Sequence, residues 1–401
     1  MPVDPEAALT RCLAAVSQGG VGVAVSGGGD SMALLHLAHR WGAGRVYAAT
    51  VNHGLRPEAA AEAEGVARTC EALGVPHVTL PWRGWSGQGN LQAAAREARA
   101  GLLTEWASEL GLDAVLLGHT ADDQAETVLM RLARGSGVDG LAGMEARAGL
   151  FLRPLLEVWR AELRDWLRAR GLGWVEDPSN DDLRFDRIKA RRLLEDLGEL
   201  GLTSARLLET AEHMRRARAT LWQAAGVWAG AHVRAEAGDL LFDAQALDLS
   251  QGDSPGRVLS AAVQWIGGAA YRPRIEALRE FAAGLLCGEA RTLGGVWAQP
   301  DGSRARLMRE PGAVQGPVPT GSVWDGRWQV SGPGAGMVAA LGEAGLSLCP
   351  AWRDAGLPRA SLLTSPAVWQ GETLIAAPLA QPSRDWQASL CLPFDRFIVS
   401  H

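Results

Sequence analysis

The stretch Val21-Gly-Val-Ala-Val25-Ser26-Gly27-Gly28-Gly29-Asp30-Ser31 decides how the rest of the chain is read. Val21, Val23 and Val25 alternate with small residues, the pattern of a short buried strand. Asp30-Ser31 opens Met-Ala-Leu-Leu-His-Leu-Ala, a run that favours helix. Between the two, three consecutive glycines let the backbone turn without Cβ clashes and come close to a ligand. The N–H groups of such a turn, and those of the helix start behind it, lack intrahelical partners, and the helix dipole adds positive character. The occupant that suits this geometry is an anion such as a phosphate.

Two common phosphate loops do not fit. The dinucleotide fingerprint G-x-G-x-x-G needs a glycine three places after Gly29, where Met32 stands. The P-loop needs G-K-[ST], and the one lysine of the chain, Lys189, is far from any glycine loop. What remains is S-G-G-x-D-S, formed by Ser26, Gly27, Gly28, Gly29, Asp30 and Ser31. It resembles the PP-loop of the N-type ATP pyrophosphatases, which split ATP into AMP and pyrophosphate to activate a substrate oxygen. A glycine turn with capping Ser and Asp is the plainer alternative.

The 401 residues leave room for two or three domains. A chain that is 47% hydrophobic and 21% charged is ordinary for a globular protein. Cys12, Cys70, Cys287, Cys349 and Cys391 are far apart with no C-x-x-C, which argues against a zinc site, a redox pair or a secreted disulfide framework. The first residues show no signal-peptide pattern, and no apolar run reaches the ~18–20 residues of a membrane span. The expected location is the cytoplasm. A net charge of −6 does not advertise nucleic-acid binding, but residues 147–218 carry 15 basic and 13 acidic groups, the one stretch with a positive balance. Arginine supplies 38 of the 39 basic residues; it suits phosphate recognition, although a GC-rich genome would produce the same bias.

Around the glycine loop, hydrophobic patterning predicts strands at 21–25, 45–51, 77–82 and 114–117. Helices are expected at 5–18, 58–73, 90–110 and 121–134. Strands alternating with helices imply a doubly wound parallel sheet, in which ligands sit beyond the carboxyl ends of the strands. Three segments fall there: Ser26–Ser31, Asn52-His53-Gly54-Leu55-Arg56, and Gly118–Glu126. Thr120 and Asp123 have capping-box spacing, so Asp123 can simply close a helix N-terminus. Glu126 is three residues on and shares its face, so the pair can also hold a metal or a cationic amine.

Val51-Asn-His-Gly-Leu-Arg56, Asn90…Ala95-Arg96-Glu-Ala-Arg99, Gly118-His-Thr-Ala-Asp-Asp-Gln-Ala-Glu-Thr127 and Arg134-Gly-Ser-Gly-Val-Asp-Gly-Leu141 accompany the glycine loop. Together they resemble the tRNA(Ile)-lysidine synthetase family. Trp174-Val-Glu-Asp-Pro-Ser-Asn180 and the helix-forming run from Arg184 to Leu194 extend the resemblance, although Ile188 and Ala190 depart from the family pattern. Such enzymes are ligases that join the ε-amine of free lysine to C2 of the wobble cytidine of isoleucine tRNA with a CAU anticodon. They work through an adenylated cytidine and release AMP and pyrophosphate. The resemblance implies ATP as co-substrate on Ser26–Ser31 with His53 bordering it, Asp30 as catalytic residue and Mg²⁺ ligand, and Asp123, Glu126 and Arg96 (or Arg99) around the lysine. Arg187, Arg191 and Arg192 would face tRNA phosphate; the alternative is a solvated helix face paired with neighbouring aspartates. The implied partners are isoleucine tRNA and free L-lysine, with no membrane and with a homodimer as a possible assembly. Two alternatives share the fold: a tRNA-thiolating PP-loop enzyme, for which no cysteine pair is suitably spaced, and a non-catalytic ATP- or tRNA-binding protein.

The expected organisation is a PP-loop catalytic domain over 1–200, a mainly helical tRNA-contacting domain over 201–310 and a small β-rich C-terminal domain over 318–401. Helices are expected at 204–234, 256–266 and 272–286, the second with Pro255 opening it, and strands follow to about 309. Gly252-Asp-Ser-Pro-Gly256 matches G-x-S-x-G, but no buried strand leads into it. Beyond the Pro/Gly-rich 310–321, the segments 324–328, 346–349, 367–370 and 374–377 suggest the β-rich domain. Trp324 and Trp328 read as core rather than as base-stacking platforms.

Overall fold

The strand that feeds the glycine loop lies inside a six-stranded sheet, flanked on both sides by parallel neighbours. The computed structural model describes residues 3–14, 16, 19–42, 44–54, 59–83, 91–175, 186–269 and 271–400. They divide into two compact units, Met1–Arg216 and Ala217–His401, and the division falls inside one long helix.

The first unit opens with α1 (Pro5–Leu13), capped by the Asp4 carboxylate and started by a proline at its first position. Then come β1 (Val21–Ala24), α2 (Gly29–Gly42), β2 (Val46–Asn52), α3 (Ala59–Leu73), β3 (His77–Pro81), α4 (Leu91–Glu109) and β4 (Ala114–Leu117). After them stand α5 (Ala121–Ala133), a short α6 (Val138–Leu141), and β5 (Arg147–Ala148) with β6 (Phe151–Leu152). Helices α7 (Arg160–Arg168), α8 (Asp186–Gly198) and α9 (Ser204–His232) complete the series. The strand order is β3-β2-β1-β4-β6-β5, parallel throughout except for the antiparallel β5–β6 hairpin. Both faces of β1 are covered, so all four of its residues are buried. This explains why it reads as a continuous apolar run. The main core gathers Val21, Val23 and Val25 with Leu34, Leu35 and Leu37 of α2 and Leu163 and Leu167 of α7.

The expected elements of this unit recur within one or two residues of their sequence boundaries, except that α1 ends at Leu13 rather than at 18. The β5–β6 hairpin was not expected, because two-residue strands leave no periodicity to read.

Most of the 201–310 segment and all of 318–401 fall in the second unit. A five-stranded sheet of order β7-β8-β11-β10-β9 is made by β7 (Val233–Glu236), β8 (Asp239–Asp243), β9 (Arg291–Leu293), β10 (Val296–Asp301) and β11 (Arg304–Arg309). Helices α10 (Asp253–Gly267) and α11 (Ile275–Leu286) pack their apolar faces into the same core as Leu240, Phe242, Ala298 and Leu307 of that sheet. The middle segment is therefore helix on sheet rather than mainly helical. Its first strand, half exposed and polar, begins inside the helix expected over 204–234, which ends at His232 instead. Helix α10 begins at Asp253, two residues before Pro255, and the strand before it is separated from Ser254 by two 3₁₀ turns, so Ser254 is not on a nucleophile elbow.

Beyond residue 317 lie β12 (Val318–Pro319), β13 (Val323–Trp324), β14 (Trp328–Ser331), β15 (Met337–Ala340), α12 (Gly342–Ser347) and α13 (Arg359–Leu363). They are followed by β16 (Pro366–Gln370), β17 (Thr373–Ala376), β18 (Gln387–Leu390) and α14 (Phe394–Val399). A four-stranded sheet (β12-β15-β16-β17) and a three-stranded one (β13-β14-β18) confirm the β-rich character. Residues 346–349 are an exception: they fall at the end of α12, where Leu346 and Cys349 supply core contacts at helical spacing. Trp324 and Trp328 are buried in the core of these sheets.

Gly22 tests the packing of the sheet. A methyl group there would stand 2.5 Å from Cζ3 of Trp106 and 3.1 Å from Leu112 Cδ1. We expect Gly22→Ala to lower stability by about 1–3 kcal/mol through overpacking, read as a drop in the midpoint of denaturant unfolding. An unchanged midpoint would contradict the packing described.

Candidate active site

Strand β1 ends at the sheet's carboxyl edge, and the chain turns at Gly27, whose φ of +87° suits glycine. Ser31 holds the turn closed. Its Oγ donates to the Gly28 carbonyl at 2.9 Å, accepts from the Ser26 N–H at 3.1 Å and lies 3.2 Å from Ser26 Oγ. These bonds fix the loop backbone to the start of α2. Gly118, at the end of β4, comes so close that a methyl group on it would sit 3.2 Å from the backbone of Asp30 and Ser31. The two adjoining strand ends thus bring their loops together.

The second loop supplies the carboxylates. Thr120 and Asp123 form a capping box: Asp123 Oδ2 accepts from the Thr120 N–H and Oγ1, both at 2.9 Å. The cap uses one oxygen of Asp123 and leaves Oδ1 for other partners. Arg160, first residue of α7, fills that space. Its Nε donates to Asp30 Oδ2 at 2.9 Å, its Nη2 to Asp123 Oδ1 at 3.3 Å, and its Nη1 lies 3.9 Å from Glu126 Oε1. The backbone N–H of Arg160 donates to Asp122 Oδ2 at 2.8 Å, which fixes the start of α7 against α5. One guanidinium thus joins Asp30 of the glycine loop to Asp123 and Glu126 of α5. Nothing in the local sequence marks Arg160, because its partner Asp30 is 130 positions away.

Helix α8 adds two more arginines, four residues apart and so on one face. Arg191 Nε donates to Glu126 Oε1 at 2.9 Å, and Arg187 Nη1 lies 3.6 Å from Asp123 Oδ1. The structure turns both toward acids of α5, whereas Arg192 is exposed. Arg56, Asn90 and Arg184 lie outside the described residues. Glu126 is 1% exposed, and its Oε2 is buried with no hydrogen-bond partner.

These surroundings tune the charges. Burial raises the Asp30 carboxyl above its ordinary range despite Arg160, and burial with the neighbouring Asp123 charge raises Glu126. Asp123 is also penalised by burial, but Arg160, the Thr120 N–H and Arg187 outweigh that and lower it. Arg160 stays charged because Asp30 and Asp123 outweigh its own burial. Oxygen donors of this kind suit Mg²⁺, which takes one or two carboxylates together with substrate phosphates. Among the described residues no group of three or more His, Cys, Asp or Glu side chains forms a metal cage.

A basic region adjoins the acidic one. His53 follows β2, His119 follows β4, and Arg153 follows β6, so all three stand at the same edge of the sheet. His53 Nδ1, His119 Nδ1 and Arg153 Nε are buried without partners. His53 packs edge-on to Trp82, and burial lowers its pKa, with Arg99 adding to the effect. Burial likewise lowers His119, to about 4; Asp123 opposes this, while Arg187, Arg153 and Arg99 reinforce it. The Arg99 charge is thus felt by both histidines, whereas Arg96 is exposed on α4.

This arrangement defines a class. A glycine loop on amides rather than lysine, with an aspartate at its helix start and further site residues on neighbouring strand ends, is a PP-loop nucleotide site. A family described as a PP-loop domain matches residues 2–197. The chain is 48% identical over 380 residues to the tRNA(Ile)-lysidine synthase of Ruegeria pomeroyi, covering 92% of this chain and 91% of that one. It is 44% identical to that of Methylobacterium nodulans, with 76% and 94% covered, and 36% identical to that of Rhizobium meliloti, with 84% and 78% covered. The chain belongs to the tRNA(Ile)-lysidine synthase family.

Two measurements test the electrostatics. Arg160→Ala leaves three clustered carboxylates without their shared cation. We expect a loss of about 2–4 kcal/mol in chemical unfolding, somewhat below a fully buried pair because Asp30 is 22% exposed; Arg160→Lys should recover part of it. His119 binds its proton less readily in the folded protein than in the unfolded chain. Stability is therefore complete above about pH 6.5 and declines as pH falls toward 4, by roughly 3 kcal/mol in all. In His119→Gln that part of the slope should vanish; an identical pH–stability curve would refute the assignment.

Proposed function

We propose that this chain joins the ε-amine of free lysine to C2 of the wobble cytidine of isoleucine tRNA with a CAU anticodon, using ATP. The observation that carries the site assignment is the Arg160 bridge. It holds the PP-loop aspartate, Asp30, beside Asp123 and Glu126 of α5, so a nucleotide phosphate and a cationic amine can be bound side by side.

In this reading the triphosphate lies on the amides of Ser26–Ser31, with His53 at its border. Asp30 would hold Mg²⁺, which when bound supplies positive charge to the phosphates. The cytidine O2 attacks the α-phosphate, an adenylated base forms and pyrophosphate leaves. The loop amides and the dipole of α2 stabilise the charge that builds on the leaving group. The lysine amine then attacks C2 and AMP departs. Glu126 Oε2, the acid oxygen without a partner, receives the ammonium, with the Asp123 carboxylate beside it already shared by Arg160 and Arg187; Glu126, whose pKa burial raises, is also the better placed to accept the proton the amine must shed. Arg99 at the basic edge is better placed for the α-carboxylate than the exposed Arg96. Arg192 is free to meet tRNA phosphate, and Arg187 and Arg191 serve the site first by balancing its acids.

The test is incubation of the full chain with ATP, labelled lysine and this tRNA. Label in the tRNA with equal AMP and pyrophosphate is expected; ATP turnover without label would refute the reading. Glu126→Gln should raise the KM for lysine by about 10–100-fold and leave the KM for ATP near its starting value. A change confined to ATP would place Glu126 elsewhere.

A further inference from the structure

Arg160 stands where the lysine ammonium is expected. Its Nη2 donates to Asp123 Oδ1 at 3.3 Å and its Nη1 lies 3.9 Å from Glu126 Oε1, so a guanidinium already sits among the acids assigned to the amine. Its Nε donates to Asp30 Oδ2 at 2.9 Å, and Asp30 directly follows the three glycines of the phosphate loop. One group therefore touches both the nucleotide side and the amine side of the site. Its backbone is pinned, because the N–H donates to Asp122 Oδ2. The side chain beyond that anchor is 17% exposed, so a ligand entering the site can reach it.

The charges of this cluster balance without a substrate. Asp30, Asp123 and Glu126 meet Arg160, Arg187 and Arg191 at 2.9–3.9 Å, three acids against three arginines. Asp122, beside the Arg160 backbone, is offset by Arg99 and Arg153, whose charges reach His119. An ammonium entering a balanced, part-buried cluster is a surplus cation, and it gains little until a resident cation is drawn off. A nucleotide supplies the means, since guanidinium and phosphate form bidentate, charge-assisted hydrogen bonds. We propose that Arg160 is a placeholder cation that couples the two substrate sites: in the free chain it occupies Asp123 and Glu126, and phosphates seated on Ser26–Ser31 draw its guanidinium toward the loop and leave those acids to the ε-ammonium. Arg187 and the capping box still hold Asp123, and Arg191 still holds Glu126, so the acids stay in place when Arg160 releases them. Lysine binding then waits on the nucleotide. This coupling rests on the reading of Ser26–Ser31 as the phosphate loop and of Asp123 and Glu126 as the ammonium site, and adds the link between them.

The test is calorimetric titration of the full chain with lysine, in Mg²⁺ buffer throughout, with and without the α,β-methylene analogue of ATP. In the wild type the analogue should tighten lysine binding about fivefold or more. Arg160→Gln should bind lysine about fivefold or more tightly than the wild type when the analogue is absent, and the analogue should then add little. The sign is decisive, because removing a residue that only shaped the acids would weaken lysine binding. Asp30→Asn should act in the opposite sense. It takes away the Nε partner of Arg160, leaves the guanidinium to Asp123 and Glu126, and should weaken lysine severalfold without the analogue. Lysine binding in Arg160→Gln no tighter than in the wild type, or equal tightening by the analogue in both proteins, overturns the coupling. Unchanged or tighter binding in Asp30→Asn overturns it even if Arg160→Gln does not fold. Wild-type lysine binding that ignores the analogue overturns the coupling alone; a wild-type chain that binds no lysine overturns the reading of the ammonium site as well.

Discussion

The three-way ion pairing of Arg160 is the constraint on which the site depends. Asp30 lies in the first turn of α2, and Asp122 and Asp123 lie in the first turn of α5, where helix dipoles favour negative charge. Dipoles alone would not hold several acids in one part-buried place. Arg160 does, and its own position is set by the Asp122 carboxylate that accepts its backbone N–H. Arg187 and Arg191 then bring charge from a fourth helix, α8. The result is a cluster in which each carboxylate is held by protein partners, while one oxygen of Glu126 has none. Such preorganisation is how a binding site avoids reorganisation costs at the moment of reaction.

Much of the first unit was legible in the sequence because its strands are buried on both faces and its loops carry distinctive residues. Val21–Val25 and Ala114–Leu117 are short apolar runs bounded by glycine, and the helices between them have clear periodicity. Capping-box spacing at Thr120 and Asp123 was equally readable, although spacing could not say that one carboxylate oxygen caps the helix while the other meets Arg160. Arg160 was not legible as a site residue: it meets Asp30 across 130 positions, and a single sequence carries no trace of such a pairing. In the second unit the polar, half-exposed β7 passed for helix, and the apolar residues at 346–349 passed for strand, because short segments give too few periods to distinguish the two.

The second unit shows the same reliance on arginine in a different role. Arg306 pairs with Asp239 at 3.1 Å and also meets Glu236 and Asp301, and Arg309 pairs with Asp325 at 2.8 Å. These groups are mostly buried within sheets and turns and carry no orphaned acid. They read as structural ties whose partners are already complete, which distinguishes them from the carboxylates of the first unit.

The borders of the six-stranded sheet have a consequence of their own. At one border β3 ends in Pro81, which has no N–H to offer, and at the other β5 is two residues long. A proline at the end of one border strand and the shortness of the other leave strand-on-strand growth of this sheet little to build on.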